Sequence, residues 1–193
     1  MQSFSDRIGW ARWGLLIGAA LLVVMGVLCF VAHGIMPHAM HNTGLPSGYP
    51  TGELIGALAM AVVGISHVAA YYLAGGSKNL GGWLILEGIM ALAACIACLV
   101  DPMLGTFSYE WVIAVFIALL GVMVFLSGVC GGRVIGFKGW MIEAGLGIVL
   151  VCLGLGVVIN SAYAATLAGI AFFVYAGVIL VQVFMPSDLK LKY

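Results

Sequence analysis

The segment 33-HGIMPHAMH-41 holds three of the four histidines in the chain, together with two methionines. Imidazole titrates near neutral pH, with an ordinary pKa of about 6.5, and imidazole with thioether sulfur suits copper or zinc. Three interpretations stay open: proton binding by His33, His38 and His41, metal binding by His38 and His41, or an ordinary polar loop. The spacing matches no defined metal motif, so proton binding is the better supported of the two chemical roles.

Three further titratable side chains, His67, Glu87 and Glu143, lie inside apolar stretches of the sequence. A charged side chain within a bilayer is costly, which makes such residues functional candidates by default. A structural role is the alternative for each. The two acids follow a Trp by about one helical turn, where an acid suits the helix dipole or pairs with a loop cation. A neutral His67 commonly bonds to a nearby carbonyl.

The elements that carry these residues are predicted to be membrane helices. The chain has 193 residues, of which 64% are hydrophobic and 7% charged, whereas soluble proteins are about 25% charged. Apolar runs of about 20 residues without alternation favour helices over barrel strands. The sequence therefore predicts a single-domain, all-α integral membrane protein with spans at 13–33, 53–74, 82–100, 109–130, 139–159 and 163–185.

Basic residues fall on one side of the predicted bundle. All seven Lys and Arg lie before span 1, between spans 2 and 3, between spans 4 and 5, or after span 6, whereas the other side carries Glu53, Asp101 and Glu110. Because cytoplasmic loops are rich in Lys and Arg, both termini are predicted to be cytoplasmic and the insertion 34–52 extracytoplasmic. Protonation of the three outer histidines would add three positive charges and balance the negative charges of those three acids.

The spans are predicted to form three like-oriented helical hairpins in tandem, at about 10–74, 82–130 and 139–185. Their first helices share a W-x4-G pattern, and the residues are Trp13 and Gly18, Trp83 and Gly88, and Trp140 and Gly145. A Trp at a helix end suits the membrane interface, and a Gly within a span permits close helix contact. Frequent small residues also favour a tight bundle or a homo-oligomer.

The unit 82-GWLILEGIMALAACIACLVDP-102 and its echo 139-GWMIEAGLGIVLV-151 resemble the HdeD family of small bacterial inner-membrane proteins with six helices. The likeness covers residues 82–185 well and the first hairpin loosely, and the insertion at 34–52 departs from the family pattern. The resemblance implies a multi-pass inner-membrane protein that is linked to acid resistance, and the family has no established enzymatic activity or catalytic residues to carry over.

Two function classes remain. The first is a non-enzymatic, HdeD-like membrane protein that supports tolerance of acid or envelope stress. The second is a channel or proton-coupled transporter for a small solute. The sequence has no catalytic constellation, so we expect no enzyme and no cofactor. The expected partners are the lipid bilayer, protons or a small solute, and a second copy of the chain, but not nucleic acid.

Overall fold

The computed structural model describes residues 9–35, 51–73, 83–104, 109–133, 138–160 and 163–184. These ranges form six helices, namely α1 (Trp10–Ile35), α2 (Thr51–Leu73), α3 (Trp83–Leu104), α4 (Tyr109–Leu126), α5 (Trp140–Ile159) and α6 (Ala164–Phe184). Helix α4 continues as a π-helical segment, Ser127–Gly132. Each predicted span corresponds to one helix, with ends shifted by a few residues, and the described ranges contain no strand. The prediction of an all-helical chain is confirmed.

Apolar length and apolar outer faces define the bundle as a multi-pass membrane protein. Five helices contain described stretches long and apolar enough to cross a bilayer, and α3 has an apolar run over Leu84–Ala97. Ile65 and Ile148, in the middle of α2 and α5, are 56% and 52% exposed. Large aliphatic side chains on the outside of helices are the expected surface against lipid, because hydrocarbon solvates them well. The backbone N–H and C=O groups of a helix hydrogen-bond to each other and need no partner in the lipid.

Helices that follow one another in the sequence pack side by side, and α1 closes the ring against α6. The most extensive contacts are α4 with α5, α2 with α3, and α1 with α6. The guanidinium of Arg12, near the start of α1, lies 5.6 Å from the ring centre of Phe184 at the end of α6. The starts of α1, α3 and α5 and the ends of α2 and α6 therefore share one end of the bundle, which we name the Glu87 end.

Three pairs of glycines bring the most closely packed helices to backbone contact. In each pair, a Cβ built on either glycine would lie between 2.8 Å and 3.2 Å from the carbonyl oxygen of the other. The pairs are Gly64 of α2 with Gly88 of α3, Gly121 of α4 with Gly147 of α5, and Gly26 of α1 with Gly169 of α6. A larger residue would force the helices apart, which is why small residues mark membrane helix interfaces.

The three glycines of the W-x4-G pattern have different surroundings. Gly18 packs on Val63 of α2, and Gly88 packs on Gly64, whereas a Cβ on Gly145 would meet nothing within 4 Å. Gly145 faces outward, and Gly147 makes the close contact of α5 instead. A shared sequence pattern therefore does not give one packing role at all three positions.

The tryptophans of the same pattern lie at the Glu87 end. Trp13 is exposed and Trp140 is half-buried, whereas the side chain of Trp83 lies outside the described residues. The ring of Trp140 receives the guanidinium of Arg133 at 5.9 Å from its centre. Such aromatic and cationic pairs are common where helices leave the hydrocarbon.

Gly147→Ala should destabilise the bundle, because the added Cβ would lie 2.5 Å from the backbone nitrogen of Phe125. Overpacking costs about 1–3 kcal/mol, which outweighs the ~1 kcal/mol that Ala gains over Gly in a helix. Gly145→Ala is the matched control on the same helix and should leave stability equal or slightly higher. Thermal unfolding in detergent micelles compares the two, and equal midpoints would contradict the α4–α5 contact.

Candidate functional site: a buried cluster of two glutamates, a glutamine and a histidine

Four polar side chains from four helices meet inside the bundle near the Glu87 end. His67 of α2, Glu87 of α3, Glu143 of α5 and Gln182 of α6 are each no more than 6% exposed. We name these four the polar cluster. Each residue is between two and six positions from the nearest end of its helix, which is roughly 3 to 9 Å at ~1.5 Å per residue. The cluster therefore lies below one surface of the bundle rather than at its middle.

Gln182 connects the two carboxylates. Its Nε2 donates to Oε1 of Glu143 at 2.7 Å and to Oε2 of Glu87 at 3.1 Å, with the second oxygen of Glu87 at 3.4 Å. An amide NH2 group has two hydrogens, so one is directed at each carboxyl group. One side chain from α6 thus joins α3 to α5.

His67 has an acceptor at each ring nitrogen. Its Nδ1 lies 3.0 Å from the carbonyl oxygen of Val63, and its Nε2 lies 3.0 Å from Oε1 of Gln182 and 3.6 Å from Oε1 of Glu87. Carbonyl and amide oxygens only accept, so an imidazolium, with a hydrogen on each ring nitrogen, would satisfy both contacts. Glu87 is the acid that lies beside Nε2.

Two hydroxyl groups border the polar cluster. Ser127, the first residue of the π-helical segment, lies beside the carboxyl group of Glu143. Tyr175 is two turns before Gln182 on the same face of α6, and its hydroxyl lies beside Glu87. That hydroxyl is buried without a hydrogen bond of normal geometry, alone among the buried side-chain polar atoms of the described ranges. Such an unsatisfied group is rare enough to require an explanation.

The buried polar residues are confined to this end of the described bundle. Beyond the polar cluster they comprise Ser66, next to His67, and Ser127, next to Glu143. The remaining buried side chains are apolar apart from the hydroxyl groups of Tyr71 and Tyr175, and most of them form a core that includes Leu22, Met60 and Ile179. The interior is therefore polar at one end and hydrocarbon elsewhere.

Close backbone contacts position the side chains of the cluster. A Cβ on Gly88 would lie 3.0 Å from the Cβ of His67, so the absence of a side chain there lets Glu87 reach His67. A Cβ on Gly128 would lie 2.8 Å from the backbone nitrogen of Ala144, the residue after Glu143. The π-helical turn that contains Gly128 brings Ser127 against α5, and π-turns are frequent at functional sites.

Loop cations are not the partners of the two acids in the described residues. Arg133 lies over the ring of Trp140, and Lys138 is exposed. Lys78 is outside the described residues. Gln182 hydrogen-bonds to both Glu87 and Glu143, and His67 lies beside Glu87. The contacts of the two acids therefore connect different helices rather than a helix and its own loop.

The structure brings together three of the titratable residues predicted from the sequence, His67, Glu87 and Glu143. His33 lies in the last turn of α1, at the opposite end of the bundle, and its side chain is outside the described residues. His38 and His41 also lie outside them. Within the described ranges, no three His, Cys, Asp or Glu side chains are grouped so that they could hold a metal ion. The histidine segment therefore stays a prediction.

The sequence marks Gln182 and Ser127 as plausible interhelical hydrogen-bond partners, because polar side chains in lipid seek partners on other helices. It does not predict that Gln182 bridges His67 and the two acids, or that Tyr175 lies beside Glu87. Alternating helix directions also place residues 67, 87, 143 and 182 near the same end. The sequence gives no rotation of each helix about its axis, so it does not show that the four side chains face one point.

No protein-family model matches the chain, and no curated protein or solved structure matches it either. The fold and the site define a class, a multi-pass helical membrane protein with a buried titratable cluster.

Gln182→Met should destabilise the protein, because it keeps the length of the side chain but removes both donors and the acceptor. Buried groups left without a partner cost about 1–3 kcal/mol, and more when they are charged. Leu180→Met, at a position on α6 that is 41% exposed, is the control and should change stability by less than about 0.5 kcal/mol. Unfolding in micelles measures both, and equal stabilities would show that the bridge contributes nothing.

Proposed function

We propose that this protein binds protons at the polar cluster and supports tolerance of acid or envelope stress without enzymatic activity, as the resemblance to the HdeD family implies. One observation carries the proposal. Two carboxyl groups and an imidazole from three helices are joined by a single amide and are sealed from solvent.

A proton is the ligand that suits this geometry best. Glu87 and His67 are fully buried, and Gln182 contacts His67 and both acids directly, with each shortest distance no more than 3.1 Å. A proton adds no volume, whereas any larger ligand would have to separate these groups. Buried ionisable groups are also costly compared with apolar residues of similar size, so their presence in a membrane interior favours a functional role.

The predicted orientation places the polar cluster near the cytoplasmic face. In that orientation, both termini are cytoplasmic in a bacterial inner membrane, and the segment with His33, His38 and His41 faces the exterior. The two sets of titratable residues then respond to different compartments. The cluster responds to protons that have already reached the cytoplasm, and the histidine segment to external acid.

A tandem arrangement of three hairpins is part of the proposal. Each glycine pair joins the second helix of one hairpin to the first helix of the next, with α6 returning to α1. The acids do not follow a threefold pattern, because Ile17 occupies the position that corresponds to Glu87 and is 55% exposed. The site is therefore built from two acids and completed by residues of other types.

Proton-coupled transport of a small solute is the second candidate. It is favoured by the number of helices that the polar cluster connects, since α2, α3, α5 and α6 all contribute a side chain. A change in protonation would alter contacts among four of the six helices at once. Coupling of a bound ion to helix movement needs such a connection.

Infrared spectroscopy tests proton binding by the two acids. Acidification of the purified protein should produce the carbonyl band of a protonated carboxyl group in apolar surroundings, because Glu87 and Glu143 are buried acids, the two found among the described side chains. Glu87→Gln and Glu143→Gln should each remove part of this band. Asp188→Asn, in the polar C-terminal segment, is the control and should leave it unchanged. A band that survives both Glu substitutions would refute the proposal.

Flux measurements and survival assays distinguish the two candidates. For the stress-tolerance function, we expect that wild-type protein, but not Glu87→Gln/Glu143→Gln, rescues the acid survival of a bacterial strain that lacks the gene. Proteoliposomes should show no saturable solute uptake driven by a proton gradient. Uptake that is lost in the double variant would instead establish a transporter. Full rescue by the double variant would remove the polar cluster from the acid response.

A further inference from the structure

The amide of Gln182 lies between groups that impose opposite hydrogen-bonding roles on it. A half-turn about the Cγ–Cδ bond exchanges Oε1 and Nε2 and moves no other heavy atom. The reversed amide fills the same space, but it requires different protons on His67, Glu87 and Glu143. The orientation of one amide and the charges of three neighbours are therefore linked.

In the orientation that the structure shows, Nε2 donates to both acids and Oε1 accepts from His67. An imidazolium ring with two hydrogens matches this orientation, because Nδ1 faces the carbonyl oxygen of Val63, which can only accept. Both carboxyl groups accept from Nε2, as an ionised carboxylate does and as a protonated carboxyl can through its carbonyl oxygen. The form of this orientation with the fewest protons on the acids has one imidazolium and two carboxylates, and a single net negative charge.

In the reversed orientation, Oε1 faces Glu87 and Glu143, and Nε2 faces His67. Oxygen only accepts, so both carboxyl groups must be protonated, and its two lone pairs suffice for two donors. The amide Nε2 then donates to Nε2 of His67, which must give up its hydrogen. The bond from Nδ1 to Val63 persists, the ring is neutral, and the polar cluster carries no charge.

We propose that uptake of one proton turns the Gln182 amide over, so that His67 loses its charge as Glu87 and Glu143 become protonated. The protons balance, because the two carboxyl groups gain one from water and one from Nε2 of His67. The inference rests on the proton binding proposed above and adds the device that links it to the helices. Burial disfavours charged groups, which favours the neutral arrangement once the extra proton has arrived.

The other polar groups around the polar cluster are compatible with both orientations. From α1, Arg12 lies over the ring of Phe184, and from the π-helical end of α4, the hydroxyl of Ser127 lies beside Glu143 and can donate or accept. From α6, the hydroxyl of Tyr175 lies beside Glu87 without a hydrogen bond of normal geometry. A phenol can donate to a carboxylate or accept from a carboxylic acid, so this spare hydroxyl serves either state of Glu87.

The change alters what holds α2 against α3. In the observed orientation, the imidazolium of His67 lies 3.6 Å from a carboxylate oxygen of Glu87, an attraction between opposite charges. After proton uptake, both groups are neutral and this attraction is absent. The bond between His67 and Gln182 remains, with its direction reversed. Proton binding therefore weakens one helix contact and preserves another.

The test uses intact protein in lipid nanodiscs. His33, His38 and His41 are replaced by Gln, so that His67 is the remaining histidine of the four in the chain, and the histidine is labelled with nitrogen-15. Nitrogen chemical shifts distinguish imidazolium from each neutral tautomer. Between about pH 8 and about pH 4, a range that brackets ordinary imidazole and carboxyl pKa values, we expect imidazolium at the alkaline end. At the acid end we expect the neutral ring with hydrogen on Nδ1, the reverse of an ordinary histidine.

The carboxyl infrared band is recorded on the same samples, which separates the two proposals. A ring that loses its charge as the band grows supports the amide switch. A band that grows while the ring stays unchanged, or becomes charged on acidification, overturns the switch and leaves proton binding intact. If no band appears, proton binding itself is overturned.

Two variants provide controls. In Glu87→Gln/Glu143→Gln, the two side chains cannot take up a proton, so loss of charge from His67 on acidification should be absent. In Gln182→Met, there is no amide to turn over, and the reversed titration should be absent. A reversed titration that persists in either variant overturns the assignment of the switch to Gln182 and the two acids.

Discussion

Hydrocarbon offers no hydrogen bonds, so each polar group inside this bundle must find its partner on another part of the chain. Gln182 meets that constraint for three side chains at once, because its amide has two donors and an acceptor. Removal of one member leaves the others unsatisfied, which makes the polar cluster act as a unit rather than as a sum of pairs. Buried ionisable groups are usually less stabilising than apolar residues of the same size, so the presence of the polar cluster favours a functional role.

Glycine determines which helices can contribute to that unit. Where two backbones touch, as at Gly64 and Gly88, the side chains next to the contact are brought within hydrogen-bonding distance of the neighbouring helix. His67 and Glu87 are such neighbours. The same principle applies at Gly128, where contact with the start of α5 brings Ser127 to Glu143. The same close contacts between helix backbones, made possible by glycine, thus determine both the apolar packing and the polar contacts.

The sequence predicts the number of helices and nearly all of their ends, because span length and turn residues are fixed by the bilayer and by local backbone preferences. It also identifies His67, Glu87 and Glu143 as unusual, since ionisable residues are rare in lipid. It does not predict their meeting, which depends on helix rotation and on contacts between residues far apart in sequence. Gly145 shows the same limit, because a local pattern does not reveal which face of α5 looks inward.

The confinement of buried polar side chains to one end gives the bundle an electrical asymmetry. Beyond the cluster, the described core consists of apolar side chains such as those of Leu22 and Met60. No buried charged side chain is described in that part of the core. For a proton bound as proposed, this apolar region is a barrier, so exchange would take place with the compartment nearer the Glu87 end.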